Sequence, residues 1–299
     1  MQNIIAQLCD NKIKYRLDEP MKLHTTFKTG GNAKLFVLPE NESEIQKIIE
    51  ICNSNKTEVF VIGNGSNLIV SDDGIKDKVV IHLGDNYSFI RRVDENLIEV
   101  AAGTKLIKVC KYAFENSLSG LEFAYGIPGS AGGAAYMNAG AYGGEMKDVL
   151  VKCNHISMSG IIGSLENDEL ELSYRHSAYT ESNDVITSIF LKLKKGDKEE
   201  ISAKMKDFMS RRKEKQPLEY PSAGSVFKRP EGYFAGALVE QSGLKGKRIG
   251  GAMVSEKHAG FIINYDNATS TDIINLIEYC QKTVFDKFGI MLESEIKRV

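Results

Sequence analysis

The stretch Tyr125–Gly144, YGIPGSAGGAAYMNAGAYGG, contains seven of the chain's 27 glycines and no charged residue. Glycine tolerates positive φ angles and lets another group approach the main chain closely. Backbone amides in such a run can converge on an anionic ligand, which makes a nucleotide cofactor the first candidate. A flexible linker is the alternative. Linkers favour Ser, Pro and charged residues, whereas this stretch interleaves apolar side chains such as Ile127 and Met137, so the composition favours a ligand-binding loop.

The composition as a whole is that of an ordinary globular protein. The chain has 299 residues, of which 42% are hydrophobic, and this length suggests two or three subdomains. The formal net charge of −2 gives no general attraction to nucleic acid or to anionic membranes, so any basic site is local. The five cysteines are odd in number, far apart and without a CxxC pair. This spacing argues against a disulfide framework or a zinc site and predicts buried apolar fillers in a reducing compartment.

Targeting and membrane signals are missing from the sequence. The beginning, MQNIIAQLCDNK, lacks the basic flank and the long apolar run of a signal peptide, and no stretch reaches membrane-spanning length. We therefore expect a cytoplasmic protein with no stable membrane association and no nucleic-acid partner. The sequence leaves the oligomeric state open.

Hydrophobic periodicity predicts alternating helices and strands. In order, we expect a short helix around Ile4 and Leu8, a strand at Lys34–Leu38, a helix capped by Asn41 or Ser43, a strand at Val59–Ile62, a strand in LIEVAAG, a helix capped by Thr104 and ended by Gly120, short strands between about Asp148 and Leu193, a helix within residues 197–217, a strand in AGFIIN, a helix from Ser270 to about Phe288 stopped by Gly289, and a final strand in IMLESEIKRV. The helix after Thr104 is expected to carry the apolar residues Leu106, Ile107, Cys110 and Phe114. The basic end of the helix within 197–217 marks the predicted domain boundary.

Two common nucleotide motifs do not fit. The loop Gly63–Leu68 follows a predicted strand, but Leu68 stands where a dinucleotide fingerprint has its third glycine, and a polar loop continues where a helix should open. The segment 243–248, GLKGKR, lacks the spacing and the Ser/Thr of a P-loop. What remains is two separate glycine-rich loops, each after a strand, that together could hold the pyrophosphate of a long cofactor with backbone amides.

Six short motifs stand in a recognisable order. They are TTFKTGG at 25–31, GNGSNLIV at 63–70, GIPGSAGGAAYMNAGAYGG at 126–144, SYRHS at 173–177, GSVFKRP at 224–230 and LESEIK at 292–297. Each is weak alone, but in this order they make the chain resemble the UDP-N-acetylenolpyruvoylglucosamine reductase family over nearly its whole length. Only fifty positions separate Arg175 from Ser225. The chain therefore resembles the shorter branch of the family, which lacks a tyrosine-bearing insertion there.

The resemblance implies a mixed α/β and α+β fold with a two-part FAD-binding domain of the vanillyl-alcohol-oxidase (PCMH) type and a smaller C-terminal α/β substrate domain. We expect the first domain at 1–196, with subdomains of about 1–70 and 71–196, and the second at 197–299. The implied enzyme is a flavin-dependent oxidoreductase, UDP-N-acetylmuramate dehydrogenase. With non-covalent FAD and with NADPH as reductant, it reduces UDP-N-acetylglucosamine enolpyruvate to UDP-N-acetylmuramate in peptidoglycan precursor synthesis.

The resemblance also assigns catalytic roles. Ser225 matches the proton donor of the second half reaction, a weak acid that must be held against the reacting carbon. Arg175 matches an arginine whose planar charge suits a carboxylate or a developing enolate. Glu295 matches the catalytic glutamate, which orients a water or the enol or assists proton transfer. A flavin oxidase or dehydrogenase on the same fold and a catalytically inactive nucleotide-sugar-binding protein are the alternatives, and the joint presence of these three residues favours the reductase over both.

The remaining site residues follow from the same motifs. Lys215 aligns with a lysine that meets substrate phosphate or NADPH, with Lys213 or Arg212 as alternatives. Arg229 and His258 stand where the better-known family pattern has asparagine and glutamine, and both are predicted substrate contacts. No metal site is expected. The predicted cofactor-binding residues are Gly63, Asn64, Gly65, Ser66, Asn67, Leu68, Gly126, Ile127, Pro128, Gly129, Ser130, Gly133, Asn138, Ala139 and Gly140.

Overall fold

The computed structural model describes residues 1–299 and divides them into two compact units. Unit 1 comprises Met1–Leu17, Leu35–Asn64 and Asp77–Arg211. Unit 2 comprises Asp18–Lys34, Gly65–Lys76 and Arg212–Val299. Each unit is therefore assembled from segments that are far apart in the sequence. No helix combines the length and the apolar character needed to span a bilayer.

Helices and strands alternate along the whole chain. The helices are α1 (Gln2–Asp10), α2 (Glu42–Ser54), α3 (Leu106–Glu115), α4 (Ala131–Tyr136), α5 (Tyr179–Ser182), α6 (Lys198–Lys215), α7 (Ala235–Gln241) and α8 (Ser270–Phe288). The strands are β1 (Tyr15–Pro20), β2 (Asn32–Val37), β3 (Glu58–Ile62), β4 (Leu68–Ile69), β5 (Lys78–His82), β6 (Ile90–Arg92), β7 (Leu97–Ala101), β8 (Leu118–Ser119), β9 (Gly140–Ala141), β10 (Gly144–Glu145), β11 (Leu150–Ile156), β12 (Ile162–Glu166), β13 (Val185–Lys192), β14 (Lys194–Lys195), β15 (Arg248–Ile249), β16 (Ala252–Val254), β17 (Ile262–Asn264) and β18 (Lys297–Arg298). The order of elements is that of a mixed α/β chain, as the periodicity predicts.

Two sheets provide the frame of unit 1. One has the strand order β1-β2-β5-β3, in which β5 runs parallel to both β2 and β3. The other is antiparallel, with the order β12-β11-β13-β7-β6. Helix α2 buries Ile45, Ile48 and Ile49 in the core of this unit, and the side chain of Asn41 accepts a hydrogen bond from the amide of Glu44 at 2.9 Å. The predicted cap of this helix is therefore confirmed.

Helix α3 differs from the expectation at both ends. Its N-cap is Lys105, and the hydroxyl of Thr104 is used elsewhere: it accepts a hydrogen bond from the hydroxyl of Ser88 at 3.2 Å and donates to the carbonyl of Phe89 at 3.1 Å. It ends at Glu115 rather than at Gly120. A start at Leu106 directs Leu106, Val109, Cys110 and Ala113 inward, as helical spacing requires. Of the apolar residues expected on this helix, Leu106 and Cys110 are buried, Phe114 is partly buried, and Ile107 is 38% exposed.

Unit 2 is built on the antiparallel sheet β15-β16-β17 with helices α7 and α8. Helix α8 begins with a capping box between Thr269 and Asp272 and ends at Gly289, whose φ of 69° lets the chain turn away. This confirms the predicted start and stop. The final strand is shorter than expected, since only β18 pairs regularly, in parallel with β4, while Ser294 makes an isolated antiparallel pair with Phe227.

The cysteines are buried with one exception. Cys52, Cys110, Cys153 and Cys280 are buried, and burial raises the pKa of each thiol to about 12. Cys9 is exposed at the end of α1, with its sulfur 3.2 Å from the hydroxyl oxygen of Tyr15. The expectation of buried fillers is therefore confirmed for four thiols and wrong for Cys9.

Candidate active site

The two glycine-rich loops meet inside unit 1. A Cβ placed on Gly63 would lie 2.2 Å from Oγ of Ser130, so only glycine fits this contact without a shift. The amide nitrogen Nδ2 of Asn64 donates to the carbonyl of Pro128 at 2.5 Å. Helix α4 starts directly after Ser130, whose Oγ accepts a hydrogen bond from the amide of Gly133 at 3.3 Å. The first loop thus packs against the start of this helix.

Several backbone amides of these loops have no acceptor in the chain. The N–H groups of Asn64, Gly129 and Ser130 make no hydrogen bond to backbone or side chain, although all three residues are at least half buried. An N–H group that is shielded from water costs free energy unless it finds a partner. Convergent amides suit an anion such as a pyrophosphate. The donors present therefore fit the pyrophosphate of FAD.

The other predicted cofactor residues of unit 1 lie in or beside the same loop. Gly126, Ile127 and Pro128 precede α4, Gly133 lies within it, and Ala139 and Gly140 lead into the hairpin of β9 and β10. Asn138 is fully buried and has a φ of 40°. Its side chain donates to Glu145 at 2.6 Å and to the carbonyl of Ser173 at 2.9 Å, and it accepts from the amide of Lys147 at 2.9 Å. It thereby joins the glycine-rich stretch to the SYRHS motif.

Arg175 lies on a tight turn of unit 1. Ser173 and His176 pair through two backbone hydrogen bonds of 3.2 Å, and Arg175 between them has a φ of 56°. The guanidinium carbon lies 5.1 Å from the centroid of the Tyr174 ring. The hydroxyl of Ser177 donates to the carbonyl of Tyr136 at 2.8 Å. Together with the hydrogen bond from Asn138, this contact places Arg175 next to the end of α4 in the same unit.

The second half of GNGSNLIV belongs to unit 2. A Cβ on Gly65 would lie 2.0 Å from the carbonyl oxygen of His24, and the φ of Gly65 is 58°, so glycine is required there. The amide of Thr26 donates to the carbonyl of Gly65 at 3.1 Å. Ser66 follows, and Nδ2 of Asn67 donates to the carbonyl of Glu295 at 3.1 Å.

The last predicted residue of this loop, Leu68, pairs with Lys297 across β4 and β18. The motif GNGSNLIV therefore contacts both TTFKTGG and LESEIK inside unit 2. These three motifs lie far apart in the sequence, and the hydrogen bond from Asn67 to Glu295 alone spans 228 positions.

Ser225 and Glu295 lie on neighbouring backbone segments of unit 2. The amide of Glu295 donates to the carbonyl of Val226 at 2.8 Å, and the amide of Val226 donates to the carbonyl of Gly260 at 2.9 Å. Ser225 is exposed and pairs with Phe261, whereas Glu295 is half buried. The structure thus brings two of the three predicted catalytic residues onto adjacent segments.

The predicted substrate contacts also lie in unit 2. Nδ1 of His258 accepts a hydrogen bond from the amide of Gly260 at 3.0 Å, which places the proton of the neutral ring on Nε2. Burial lowers the pKa of His258 below its ordinary value of 6.5 and so favours this neutral form. Arg229 is exposed, with its guanidinium carbon 4.1 Å from the centroid of the Phe234 ring. Lys215 is exposed at the end of α6.

Sequence reasoning missed the aromatic partner of Arg229. Tyr233 and Phe234 are 50% and 63% exposed, which is unusual for such large apolar rings. Both follow the GSVFKRP motif by only a few residues. Two adjacent aromatic residues after a Pro-Glu-Gly turn are the signal that could have identified them.

Two family models match different parts of the chain. The family model described as "FAD binding domain" matches residues 33–165. The one described as "UDP-N-acetylenolpyruvoylglucosamine reductase, C-terminal domain" matches residues 216–299. A structure of berberine bridge enzyme has a TM-score of 0.50 at 13% identity and covers 66% of this chain and 44% of its own, a likeness of fold alone. The fold and the paired glycine loops therefore define an FAD-binding oxidoreductase of the PCMH type.

Closer relatives specify the family. A UDP-N-acetylenolpyruvoylglucosamine reductase of Listeria innocua is 49% identical over 297 residues, which cover 99% of this chain and 98% of the relative. Another from Syntrophomonas wolfei is 48% identical and covers 96% of this chain and 95% of its own. The crystal structure of the enzyme (MurB) from Thermus caldophilus superposes with a TM-score of 0.80 at 34% identity, covering 96% and 98% of the two chains. The chain belongs to the UDP-N-acetylenolpyruvoylglucosamine reductase family, which confirms the predicted family, fold class, enzyme class and FAD cofactor.

Proposed function

We propose that the protein catalyses the NADPH-dependent reduction of UDP-N-acetylglucosamine enolpyruvate to UDP-N-acetylmuramate, a step of peptidoglycan precursor synthesis in the cytoplasm. FAD, when bound, supplies the two-electron carrier that accepts hydride from NADPH and delivers it to the methylene carbon of the enolpyruvyl group. The neighbouring carbon then carries enolate character and needs a proton. The protein must therefore provide a proton donor and a positive charge near the substrate carboxylate.

The position of Ser225 carries the proposal. Its hydroxyl is exposed on a segment that is hydrogen bonded directly to the one bearing Glu295, through the 2.8 Å bond from the Glu295 amide to Val226. A serine hydroxyl is a weak acid, so it protonates carbon efficiently only when a neighbour helps to replace its proton. Glu295 is the acid–base group on the adjacent segment. We assign proton donation to Ser225 and the supporting role to Glu295.

Arg175 is assigned to the substrate carboxylate. The guanidinium group is planar and permanently charged, and it can form two parallel hydrogen bonds to a carboxylate or to an enolate oxygen. Its turn is held by Asn138 and Ser177 beside the glycine-rich stretch. This anchoring supports a fixed position near the cofactor loops of unit 1, which is what charge stabilisation during hydride transfer requires.

The nucleotide half of the substrate is assigned to cationic and hydrogen-bonding residues of unit 2. Lys215 and Arg229 are exposed cations, and His258 in its neutral form offers Nε2–H as a donor. All three residues lie after residue 197. We therefore also propose that residues 1–196 form the cofactor-binding domain and residues 197–299 the substrate-binding domain. These groups suit a diphosphate, which accepts hydrogen bonds from both charged and neutral donors.

The assignment of FAD rests on the amides of unit 1. The unpaired N–H groups of Asn64, Gly129 and Ser130 would hold its pyrophosphate, and the contact of Gly63 with Ser130 brings the two loops close enough to act on the same group. No step of the reaction is assigned to these amides. Their role is to bind and orient the cofactor.

The test separates the two half reactions under anaerobic conditions. NADPH should bleach the flavin absorbance of the purified holoprotein, and the enolpyruvyl UDP-sugar should restore it. Ser225→Ala should leave bleaching near the parent rate and slow the recovery by about 10²- to 10⁴-fold, because only the second step needs the proton. Ser222→Ala, three positions earlier in the same segment, is the matched control and should recover like the parent.

Two outcomes would contradict the proposal. Equal slowing of both half reactions by Ser225→Ala would remove the proton-donor role. Recovery of the flavin band by air but not by the UDP-sugar would instead favour a flavin oxidase.

A further inference from the structure

Two exposed aromatic rings lie next to the predicted substrate residues of unit 2. Tyr233 is 50% exposed and Phe234 is 63% exposed. They follow a turn in which the amide of Tyr233 donates to the carbonyl of Pro230 at 3.1 Å. Helix α7, which starts just after them, buries Leu238 and Val239 in the core of the unit. The core therefore does not account for the two rings.

Phe234 is connected to two predicted substrate contacts. The guanidinium carbon of Arg229 lies 4.1 Å from the centroid of its ring, a cation–π arrangement. Two residues further on, Gly236 approaches His258 so closely that a Cβ on Gly236 would lie 3.4 Å from Cε1 of the imidazole. Arg229, Phe234 and His258 therefore belong to one neighbourhood.

The same neighbourhood reaches the catalytic serine. Gly260 donates its amide hydrogen to Nδ1 of His258 at 3.0 Å and accepts a hydrogen bond from the amide of Val226 at 2.9 Å. Val226 directly follows Ser225. Arg229 lies four positions after Ser225, and an extended segment of four residues spans roughly 13 Å. Along the chain, the aromatic pair follows the cation, and the cation follows the serine.

This sequence of groups matches the order of groups in a UDP-sugar. The reacting enolpyruvyl sugar belongs at Ser225, the diphosphate follows, and the uridine comes last. A cation suits the diphosphate, and an exposed aromatic ring suits a pyrimidine base, because every base presents a π-face for stacking.

We propose that Phe234, with Tyr233 beside it, stacks against the uracil of the UDP-sugar, while Arg229 holds the adjacent diphosphate. The inference rests on the proposed function for the identity of the substrate, but it concerns a subsite that can be tested by binding alone. It makes Phe234 a specificity-determining residue for the uridine end and assigns it no part in hydride or proton transfer.

The first test is the direct binding of UMP to the FAD-loaded protein by titration calorimetry. Replacing an aromatic ring that stacks on a base weakens binding by about 5- to 150-fold, so Phe234→Ala should raise the Kd of UMP by a factor in that range. Phe234→Tyr keeps the ring and should stay within about threefold of the parent. Phe285→Ala removes another exposed ring of the same unit, 46% exposed on α8, and should leave the Kd unchanged.

Inorganic pyrophosphate separates the base from the phosphates. Phe234→Ala should not change its inhibition constant, because pyrophosphate contains no base. In turnover, the same variant should raise the KM for the UDP-sugar by the factor seen with UMP, with kcat and the rate of flavin bleaching by NADPH close to the parent.

Three results would overturn the inference. The first is an unchanged Kd for UMP in Phe234→Ala. The second is an equal loss of affinity for pyrophosphate and for UMP in this variant. The third is a slower NADPH half reaction with normal UMP binding, which would assign the ring to NADPH. If the parent binds UMP in a Phe234-dependent way but never turns over the UDP-sugar, the proposed function fails while the uracil subsite stands.

Discussion

The contact between Gly63 and Ser130 allows a quantitative test of how the two glycine loops are held. In Gly63→Ala the new Cβ would lie 2.2 Å from Oγ of Ser130 and 3.1 Å from its Cβ. The least costly relief is a rotation of the serine side chain away from alanine. That rotation breaks the cap that Ser130 provides for α4 through its hydrogen bond with the amide of Gly133. Loss of such a cap costs about 0.5–2 kcal/mol.

A double-mutant cycle isolates this mechanism. Ser130→Ala loses the same cap directly, so in each single variant the lost cap should lower the free energy of unfolding of the FAD-free protein by about 1 kcal/mol, before any effect of the substitution on the unfolded chain. In the double variant the cap is lost only once and the hydroxyl that clashes is gone. The combined loss should therefore fall short of the sum by about 1 kcal/mol, well outside the ~0.3–0.5 kcal/mol expected for independent sites.

Urea unfolding followed by circular dichroism provides the four free energies of this cycle. Gly63 does not have a positive φ, so alanine at this position causes no backbone strain that would obscure the result. Alanine also stiffens the unfolded chain, which offsets the loss of stability by about 0.4–1 kcal/mol in both variants that carry it. Because this offset appears on both sides of the cycle, it cancels from the coupling. Additive losses would refute the argument that the two loops touch through this hydroxyl.

Two further predictions concern buried polar groups. Asn138→Ala removes three hydrogen bonds of a fully buried side chain and should lower the free energy of unfolding by about 2–4 kcal/mol. The control Asn267→Ala, at an exposed position with a similar φ of 46°, should lower it by only about 1 kcal/mol, the cost of alanine in the left-handed region. Equal losses in urea unfolding would contradict the buried network. Burial lowers the pKa of His258 in the folded protein, so the unfolded chain takes up a proton first and the free energy of unfolding should fall as the pH drops below 6.5. His258→Gln should flatten this pH dependence in unfolding titrations between about pH 7.5 and 5.5. An unchanged slope would show that the histidine is not responsible.

Local signals predict those parts of the fold that depend on local hydrogen bonds. The cap of α2 by Asn41 and the end of α8 at Gly289 follow from residue chemistry that acts within one turn, and both are confirmed. Thr104 has the same capping chemistry, but its hydroxyl accepts a hydrogen bond from Ser88 and donates one to the carbonyl of Phe89. Both partners come from the distant segment just before β6, and no pattern around Thr104 predicts them.

The candidate site likewise has parts that the sequence predicts and parts that it does not. Its motifs can be read along the chain, but their neighbours cannot, because the decisive contacts join distant segments. Asn67 contacts the backbone of Glu295 across 228 positions, and Ser225 lies beside Glu295 through the bond to Val226. The Pro-Glu-Gly turn marks the Tyr-Phe pair in the sequence but does not reveal that the ring of Phe234 is exposed, since such a pair before an apolar helix would ordinarily be assigned to the core.

The backbone at Arg175 is held in a conformation that costs free energy. A non-glycine residue in the left-handed region costs about 1–2 kcal/mol, and glycine would occupy the φ of 56° at this turn without that cost. Two turn hydrogen bonds and the bond from Asn138 to Ser173 hold the arginine in place despite the strain. Strain of this kind persists where the surrounding structure over-determines it, and it is concentrated at sites that need one particular side chain. Eleven other non-glycine residues of the chain also have a positive φ, so the strain alone does not define the function of Arg175. The proposed contact with a substrate carboxylate rests on the planar, permanently charged guanidinium and on the two hydrogen bonds that anchor this turn beside α4.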